Sequence, residues 1–267
     1  MQPEGSLDKW RSGSAYERWM GRWSQLLADK FLSWLSIPAN LRWLDVCCGS
    51  GVLTQVIVEH CSPASVSGID ASPEQIAFAR QHRSRSYVSF EVADAMALPF
   101  DDASFDVSVS GFGLNFIPQP ERAVHEMQRV TRSQGTVAAY VWDYAQGARF
   151  LREFWDAALE VDPEAPFFDQ ARRFPLCTSD ALRILFEQAT LGEVTLESLQ
   201  VETRFVNFED YWEPFLSGQG SAPNYLATRS HHLRSAIRER LRASLPCAAN
   251  GMIALPARAW AIRARCP

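Results

Sequence analysis

The chain has 267 residues, 47% of them hydrophobic and 21% charged, with a formal net charge of −5. That length buries a full core in one α/β domain with additions, and the composition is that of a folded globule. The acidic balance argues against a general nucleic-acid binder, and no apolar run approaches the roughly 18 residues of a spanning helix.

Residues 1–13 are polar, and the N-terminus shows no signal-peptide core. From Tyr16 onward, Trp19, Met20, Trp23, Leu26, Leu27, Phe31, Trp34 and Leu35 recur at spacings of three and four. This predicts a helix ending before Pro38. Packing beside a sheet accounts for most of these aromatics. The sharper expectation is that Tyr16 and Trp23 reach over a bound ligand as part of a lid.

Leu41 to Val46 reads as a buried strand, followed by a turn holding Cys47, Cys48, Gly49, Ser50 and Gly51, and by a helix over Val52–His60. Glycine reaches positive φ freely and lets a ligand lie against the backbone, and the helix N-terminus offers unpaired N–H groups. A dinucleotide would match this outline. Its fingerprint, however, wants a small residue where Thr54 stands, and Asp45 at the strand end would repel a pyrophosphate. A ligand carrying an amine beside Asp45 fits better.

A second strand, Val66 to Asp70, ends in a carboxylate able to accept both hydroxyls of a ribose. Ser72, Pro73, Glu74 and Gln75 form a capping box that opens a helix to about Arg83. The third strand, Tyr87 to Val92, leads to Asp94, which can accept from an adenine amino group. Three strand ends thus carry Asp45, Asp70 and Asp94, with a glycine turn after the first. An amine, a ribose and an adenine in that order describe S-adenosylmethionine.

Ser104–Gly111 reads as the fourth strand, Pro120–Thr131 as a helix with Val124, Met127 and Val130 on one face, and Thr136–Trp142 as the fifth strand. Strands alternating with helices imply a parallel, doubly wound sheet, with its ligand beyond the strand carboxyl ends beside strands one and four. After Trp142 the stretch Ala145–Cys177 is aromatic-rich and carries Pro163, Pro166 and Pro175. A helix is expected over Arg149–Leu159, and another capped by Ser179 and Asp180 and ending near Gly192. Val194–Phe205 alternates as a strand, Phe208–Leu245 reads as helix broken at Pro214 and Pro223, and Ile253–Ile262 as the last strand.

The combination from Asp45 to Trp142 resembles the class I S-adenosylmethionine-dependent methyltransferases. It is most similar to the small-molecule branch that holds the ubiquinone/menaquinone (type 11) methyltransferases. Leu44–Gly51 stands where that family has an acid followed by GxGxG; Asp94–Phe100 and Ser104–Val107 match its third and fourth blocks. Cys47 departs from the first glycine of the triplet, and Ser133, Gln134 and Gly135 replace a usual Pro-Gly-Gly. The resemblance implies a Rossmann-like, doubly wound, mostly parallel seven-stranded sheet with an antiparallel last strand. An N-terminal helical lid would occupy residues 1–37. The methyltransferase domain would occupy 38–267, with substrate-cap insertions at about 145–177 and 207–250.

The expected cofactor site comprises Tyr16, Trp23, Asp45, Cys47, Gly49, Gly51, Asp70, Ala71, Asp94, Ala95, Met96, Ser110 and Gly111. Phe112, Asn115, Trp142, Tyr144, Trp155 and Trp212 are expected around a lipophilic or aromatic acceptor. Asp143, just past the fifth strand, is the best-placed carboxylate for a general base; a capping or salt-bridged residue is the alternative. His231 and His232 lie in a basic run read as a solvated helix face. The six cysteines show no C-x-x-C pair and no zinc spacing, so reduced thiols in a cytoplasm, and no metal, are expected. Two competing readings are a nicotinamide-dependent oxidoreductase with a degenerate fingerprint and a non-catalytic S-adenosylmethionine-binding protein.

Overall fold

The computed structural model describes residues 20–217 and 220–267. The chain divides into two compact units. The described part of the sheet unit holds residues 20–142, 176–199 and 259–267; that of the helical unit holds 143–175, 200–217 and 220–258.

The sheet unit opens with α1 (Arg22–Leu35), whose buried face carries Trp23, Leu27, Phe31 and Leu35 at helical spacing. Ser36 ends it in left-handed backbone, two residues before Pro38. Then come β1 (Arg42–Val46), α2 (Val52–His60), β2 (Ser65–Asp70), α3 (Pro73–Arg83), β3 (Val88–Val92), β4 (Phe105–Gly111), α4 (Pro120–Val130) and β5 (Thr131–Trp142). Each β1–β4 neighbour pair is parallel, and so is β4 with β5. The seven-stranded order is β3-β2-β1-β4-β5-β7-β6, and β7 runs antiparallel to β5. The order reverses direction at β1, between β2 and β4. Consecutive crossovers of right-handed βαβ units leave a crevice at that point, at the carboxyl ends of the strands.

Two local features of the sheet unit differ from the sequence expectation. Strand β5 starts at Thr131 rather than Thr136, because the chain leaves α4 already paired with β4 and then bulges between Thr131 and Thr136. Within the bulge Gln134 takes a φ of 59°. Gly135 is required by space: a Cβ there would lie 2.5 Å from Thr131 Cγ2 and 2.8 Å from the Asp106 carbonyl oxygen. In the capping box, Gln75 N–H donates to Ser72 Oγ, but the Ser72 N–H is taken by Asp70 Oδ1 rather than by a side chain of its own helix.

The helical unit contains α5 (Arg149–Val161) and α6 (Gln170–Arg173), and later α8 (Phe208–Trp212), α9 (Ser221–Ala227) and α10 (His231–Ser244). Between α6 and α8 the chain forms α7 (Ser179–Gln188) and β6 (Gly192–Phe205); β7 (Ile253–Arg265) ends it. The N-cap of α7 is Thr178, whose hydroxyl accepts the Ala181 N–H, and not Ser179 or Asp180. Pro223 does not break the helical run. It sits in the first turn of α9, where its missing N–H has no intrahelical partner to lose. Apolar residues of α5 (Phe150, Phe154, Trp155, Ala158) are buried with Tyr211, Phe215 and Tyr225. Phe154 stacks on Phe215 at 4.5 Å, and the Tyr211 hydroxyl donates to the Phe150 carbonyl. One buried polar set of this unit is paired: the Tyr225 hydroxyl donates to Asp162, which also meets Arg229. Among the described residues no helix is long and apolar enough to cross a membrane.

Candidate active site

Asp45 is wholly buried at the end of β1. Thr54, one turn into α2, donates to its Oδ2 at 2.6 Å, whereas Oδ1 is buried with no hydrogen-bond partner. Burial pushes this carboxyl up to about 7, and the charge of Asp70 adds to the shift while the Thr54 bonds oppose it. The position where a dinucleotide site needs a small residue is therefore occupied by a side chain that holds the acid.

The turn between β1 and α2 is tied to the end of β2. Gly49 N–H donates to Asp70 Oδ2, and Cys48 N–H to the Ile69 carbonyl. Gly49 and Gly51 take φ of 53° and 83°; nothing lies within 4 Å of a Cβ built on Gly49. A Cβ on Gly51 would meet Arg83 at 2.8 Å, and Arg83 Nε donates to the Ser50 carbonyl. Asp70 accepts one backbone N–H on each oxygen, from Gly49 and Ser72, and burial raises its pKa against those bonds. Each oxygen retains lone-pair capacity. The neighbouring Ala71 is exposed. At the end of β3, Ala93 N–H donates to the Asp70 carbonyl; Asp94 is exposed and accepts the Met96 N–H, and Ala95 is buried.

Beside β1, strand β4 ends in Ser110 and Gly111. Ser110 Oγ is wholly buried without a partner. A Cβ on Gly111 would stand 2.6 Å from the Tyr140 hydroxyl. Phe112 takes a φ of 59°, stacks on Trp142 at 4.6 Å and meets the edge of Tyr140. Asn115 follows in a short 3-10 turn, with both amide atoms buried and unpartnered. Trp23 lies on the buried face of α1 with the Arg22 guanidinium 4.4 Å from its ring centroid. Tyr16 lies outside the described residues.

Four expected residues belong to the helical unit. Asp143 Oδ2 accepts from Arg258 Nε and Nη2 at 2.9 and 2.6 Å, and its Oδ1 accepts the Gln146 N–H. The contacts are those of the salt-bridged alternative, not of a free base. Tyr144 packs against Phe174 at 5.7 Å. Trp155 donates to the Gln170 side chain and packs on Phe154 and Tyr225. Trp212 is buried beside Phe208 and Phe215.

Two residues that sequence reasoning missed complete the arrangement. Thr54 is the partner of Asp45, and Gly113 faces Cys47: its Cβ would lie 2.4 Å from the Cys47 Cβ. The repeated glycine in Gly111-Phe112-Gly113 was the available signal for the second. Burial, then the charges of Asp70, Asp45 and Asp94, hold the Cys47 thiol well above its ordinary range.

S-adenosylmethionine presents an ammonium, a ribose diol, an adenine amino group and a sulfonium. The residues fit such a group. A buried acid oxygen lacks a donor, Asp70 has spare acceptor capacity, and the space beside Gly49 is open.

Residues 44–139 match the family described as Methyltransferase domain. The chain is 32% identical over 184 residues to the chloroplastic 2-phytyl-1,4-beta-naphthoquinone methyltransferase of Arabidopsis thaliana, covering 65% of this chain and 67% of that one. It is 30% identical to demethylmenaquinone methyltransferase of Staphylococcus aureus, covering 61% and 73%. Among solved structures it resembles phosphoethanolamine N-methyltransferase 2 of Haemonchus contortus, crystallised with phosphomonomethylethanolamine and S-adenosylhomocysteine. There the TM-score is 0.59 at 15% identity, over 95% of this chain and 56% of that one. The nicotinamide alternative finds no support in these relatives, and Thr54 already spoke against it. With a relative 32% identical across two thirds of its length and the strand-end acids in order, the chain belongs to the class I S-adenosylmethionine-dependent methyltransferases and transfers a methyl group to a small-molecule acceptor.

Proposed function

We propose that the acceptor is a lipophilic, quinone-type aromatic molecule, methylated in a site built on the carboxyl ends of β1 and β4. One observation carries this reading: Asp45 Oδ1, Ser110 Oγ and both amide atoms of Asn115 are buried there without partners. Buried polar atoms cost stability unless something satisfies them. The relatives named for naphthoquinone and demethylmenaquinone supply the acceptor class.

When bound, S-adenosylmethionine supplies a methyl group on a sulfonium, open to in-line displacement. Asp45 would hold the amino end, Asp70 the ribose hydroxyls and Asp94 the adenine amino group. Gly49 and Gly51 would let backbone approach the ligand, with Cys47, Ala71, Ala95, Met96 and Gly111 lining it and Trp23 closing it. The hydroxyl of Ser110 and the amide of Asn115, one donor and acceptor pair, would orient an acceptor oxygen. Phe112 and Trp142 present stacked aromatic faces that exclude water. Tyr144, Trp155 and Trp212 remain acceptor candidates through the aromatic character of their unit. Placement at near-attack distance is the enzyme's main contribution to such a transfer. Asp143 is not assigned proton transfer, because the Arg258 guanidinium holds its carboxylate in an ion pair. An electron-rich ring carbon or a phenolate needs no strong base, which suits this site.

The same reading includes a cytoplasmic location and no nucleic-acid substrate. The arginines of α10 are engaged: Arg238 and Arg242 meet Glu209, Arg240 meets Glu160, and Arg234 donates to backbone carbonyls. Incubation with S-adenosylmethionine and a 2-prenyl-1,4-naphthohydroquinone, following S-adenosylhomocysteine, tests the proposal. Formation of S-adenosylhomocysteine together with the methylated naphthohydroquinone supports it. Absence of turnover on this and simpler hydroquinones, with methylation of bulk RNA or protein instead, overturns it.

A further inference from the structure

Two non-glycine residues hold left-handed backbone in the turns that flank the switch point, Cys47 after β1 and Phe112 after β4, both with φ of 59°. Any residue with a Cβ is strained there, and such strain persists only where the surroundings hold it. Glycine would be free of it. Gly113, by contrast, has ordinary backbone with φ of −89°, so conformation does not require a glycine there. Space does. A Cβ on Gly113 would stand 2.4 Å from Cys47 Cβ, 3.2 Å from Cys47 Sγ and 2.8 Å from Ser110 Oγ. The chain thus places a side chain on the strained position and none on the relaxed one facing it. Ser110, which flanks the same point, is wholly buried with an unpartnered hydroxyl, and the unpartnered Asn115 amide lies two residues beyond Gly113.

We propose that Cys47 is a specificity-determining residue for the methyl acceptor: wedged against Gly113, its side chain sets where the Ser110 hydroxyl and the Asn115 amide meet the acceptor. This rests on the acceptor role given above to those two groups. Burial and the charges of Asp70, Asp45 and Asp94 keep the thiol protonated. It therefore acts through its shape and does not compete as a nucleophile for the methyl group.

The test combines melting temperature, S-adenosylhomocysteine titration and steady-state kinetics with a 2-prenyl-1,4-naphthohydroquinone. Cys47→Gly removes the wedge and the strain together. It is expected to keep its melting temperature; because Cys47 also lines the cofactor, S-adenosylhomocysteine affinity is titrated for each variant, and the proposal requires the loss in acceptor KM to exceed any loss in that affinity. The acceptor KM should rise by about tenfold, with a smaller change in kcat. Cys47→Ser, which restores the Cβ and a small hydroxyl, should recover most of that loss.

Gly113→Ala should lower the melting temperature in the wild-type background and far less beside Cys47→Gly, the signature of two groups in contact. Equal losses in both backgrounds, or a Cys47→Gly enzyme with wild-type acceptor KM, would overturn the proposal. Asn115→Ala separates the two readings. If it raises the acceptor KM while Cys47→Gly does not, the wedge fails alone. If neither raises it, the acceptor assignment fails as well. Should wild type not turn over the hydroquinone, the acceptor reading fails, and the Gly113→Ala comparison still decides the wedge.

Discussion

A carboxyl group that is buried, bonded only through Thr54 on one oxygen's side and shifted to about 7 makes Asp45 the most pH-sensitive residue of the site. Its folded value lies above the unfolded 3.8. Its contribution to stability is therefore fully present below 3.8 and is lost as pH rises through 7. Binding an ammonium favours the ionised form, so affinity for S-adenosylhomocysteine should climb from pH 5.5 toward 7 by at most about tenfold per unit and then level off. Calorimetric titration across that range should give a flat, weaker profile for Asp45→Asn; a wild-type profile without slope would remove the amine contact. Asp70 has a double duty. It accepts the N–H groups of Gly49 and Ser72 before any ligand arrives. Asp70→Ala should therefore lower the melting temperature as well as weaken the cofactor at least tenfold, since bonds to charged groups are worth about 1.5–3 kcal/mol each. Unchanged affinity by titration would sink the ribose assignment. The three acids were legible in the sequence because each follows an apolar strand. The unpartnered Ser110 hydroxyl and the clash across Gly113 were not, because they arise only when two strands lie side by side.

At the scale of elements, the amino ends of β1, β4 and β5 are joined by one carboxylate, at the opposite end from the site. Asp106 Oδ2 accepts from the Arg42 backbone at 2.7 Å, and Oδ1 from Arg132 Nε at 2.6 Å. Burial would raise this group, but the bonds to Arg42 and Arg132 overcome it and hold the carboxyl down at about 2. A depressed value contributes stability above the unfolded pKa of 3.8, lost as pH falls through 2. Both arginines are more than a third exposed, so the contribution is discounted for solvent screening to about 1 kcal/mol. Urea unfolding of Asp106→Asn should show that loss at neutral pH and convergence with wild type near pH 2; a constant difference would mean packing and not charge. Strands and helices were readable wherever one period dominated. They failed at junctions such as Thr131, where helix passes into strand with no turn residue to mark it, and where Thr131 Oγ1 bonds both Met127 and Ser108.

For the whole molecule, charge is the property that separates the acceptor classes. A net charge of −5 repels polyanions, and α10, the one run that looked basic in sequence, has its arginines committed to Glu209, Glu160 and backbone carbonyls. The run was legible but its partners were not, since Glu160 and Glu209 come from distant parts of the chain. The aromatic stretches around 145–177 and 207–216 were equally visible. That many of their rings pack on one another, as Phe154 does on Phe215, needed coordinates. A nucleic-acid substrate gathers phosphate contacts, and its binding weakens with salt at a log–log slope near −0.9 for each contact on duplex DNA and about −0.7 on single strands. A neutral lipophilic acceptor has no such slope, and its burial strengthens slightly as excluded salts are added. Turnover of the naphthohydroquinone should accordingly change by less than about twofold between 0.05 and 0.5 M sodium chloride, with any drift in KM downward. Bulk RNA should yield no methylated product even at the low end, where electrostatic attraction is strongest. A steep rise in acceptor KM with salt would mean that an anionic group is being bound, and the exposed arginines of the helical unit would then be the first place to look for it.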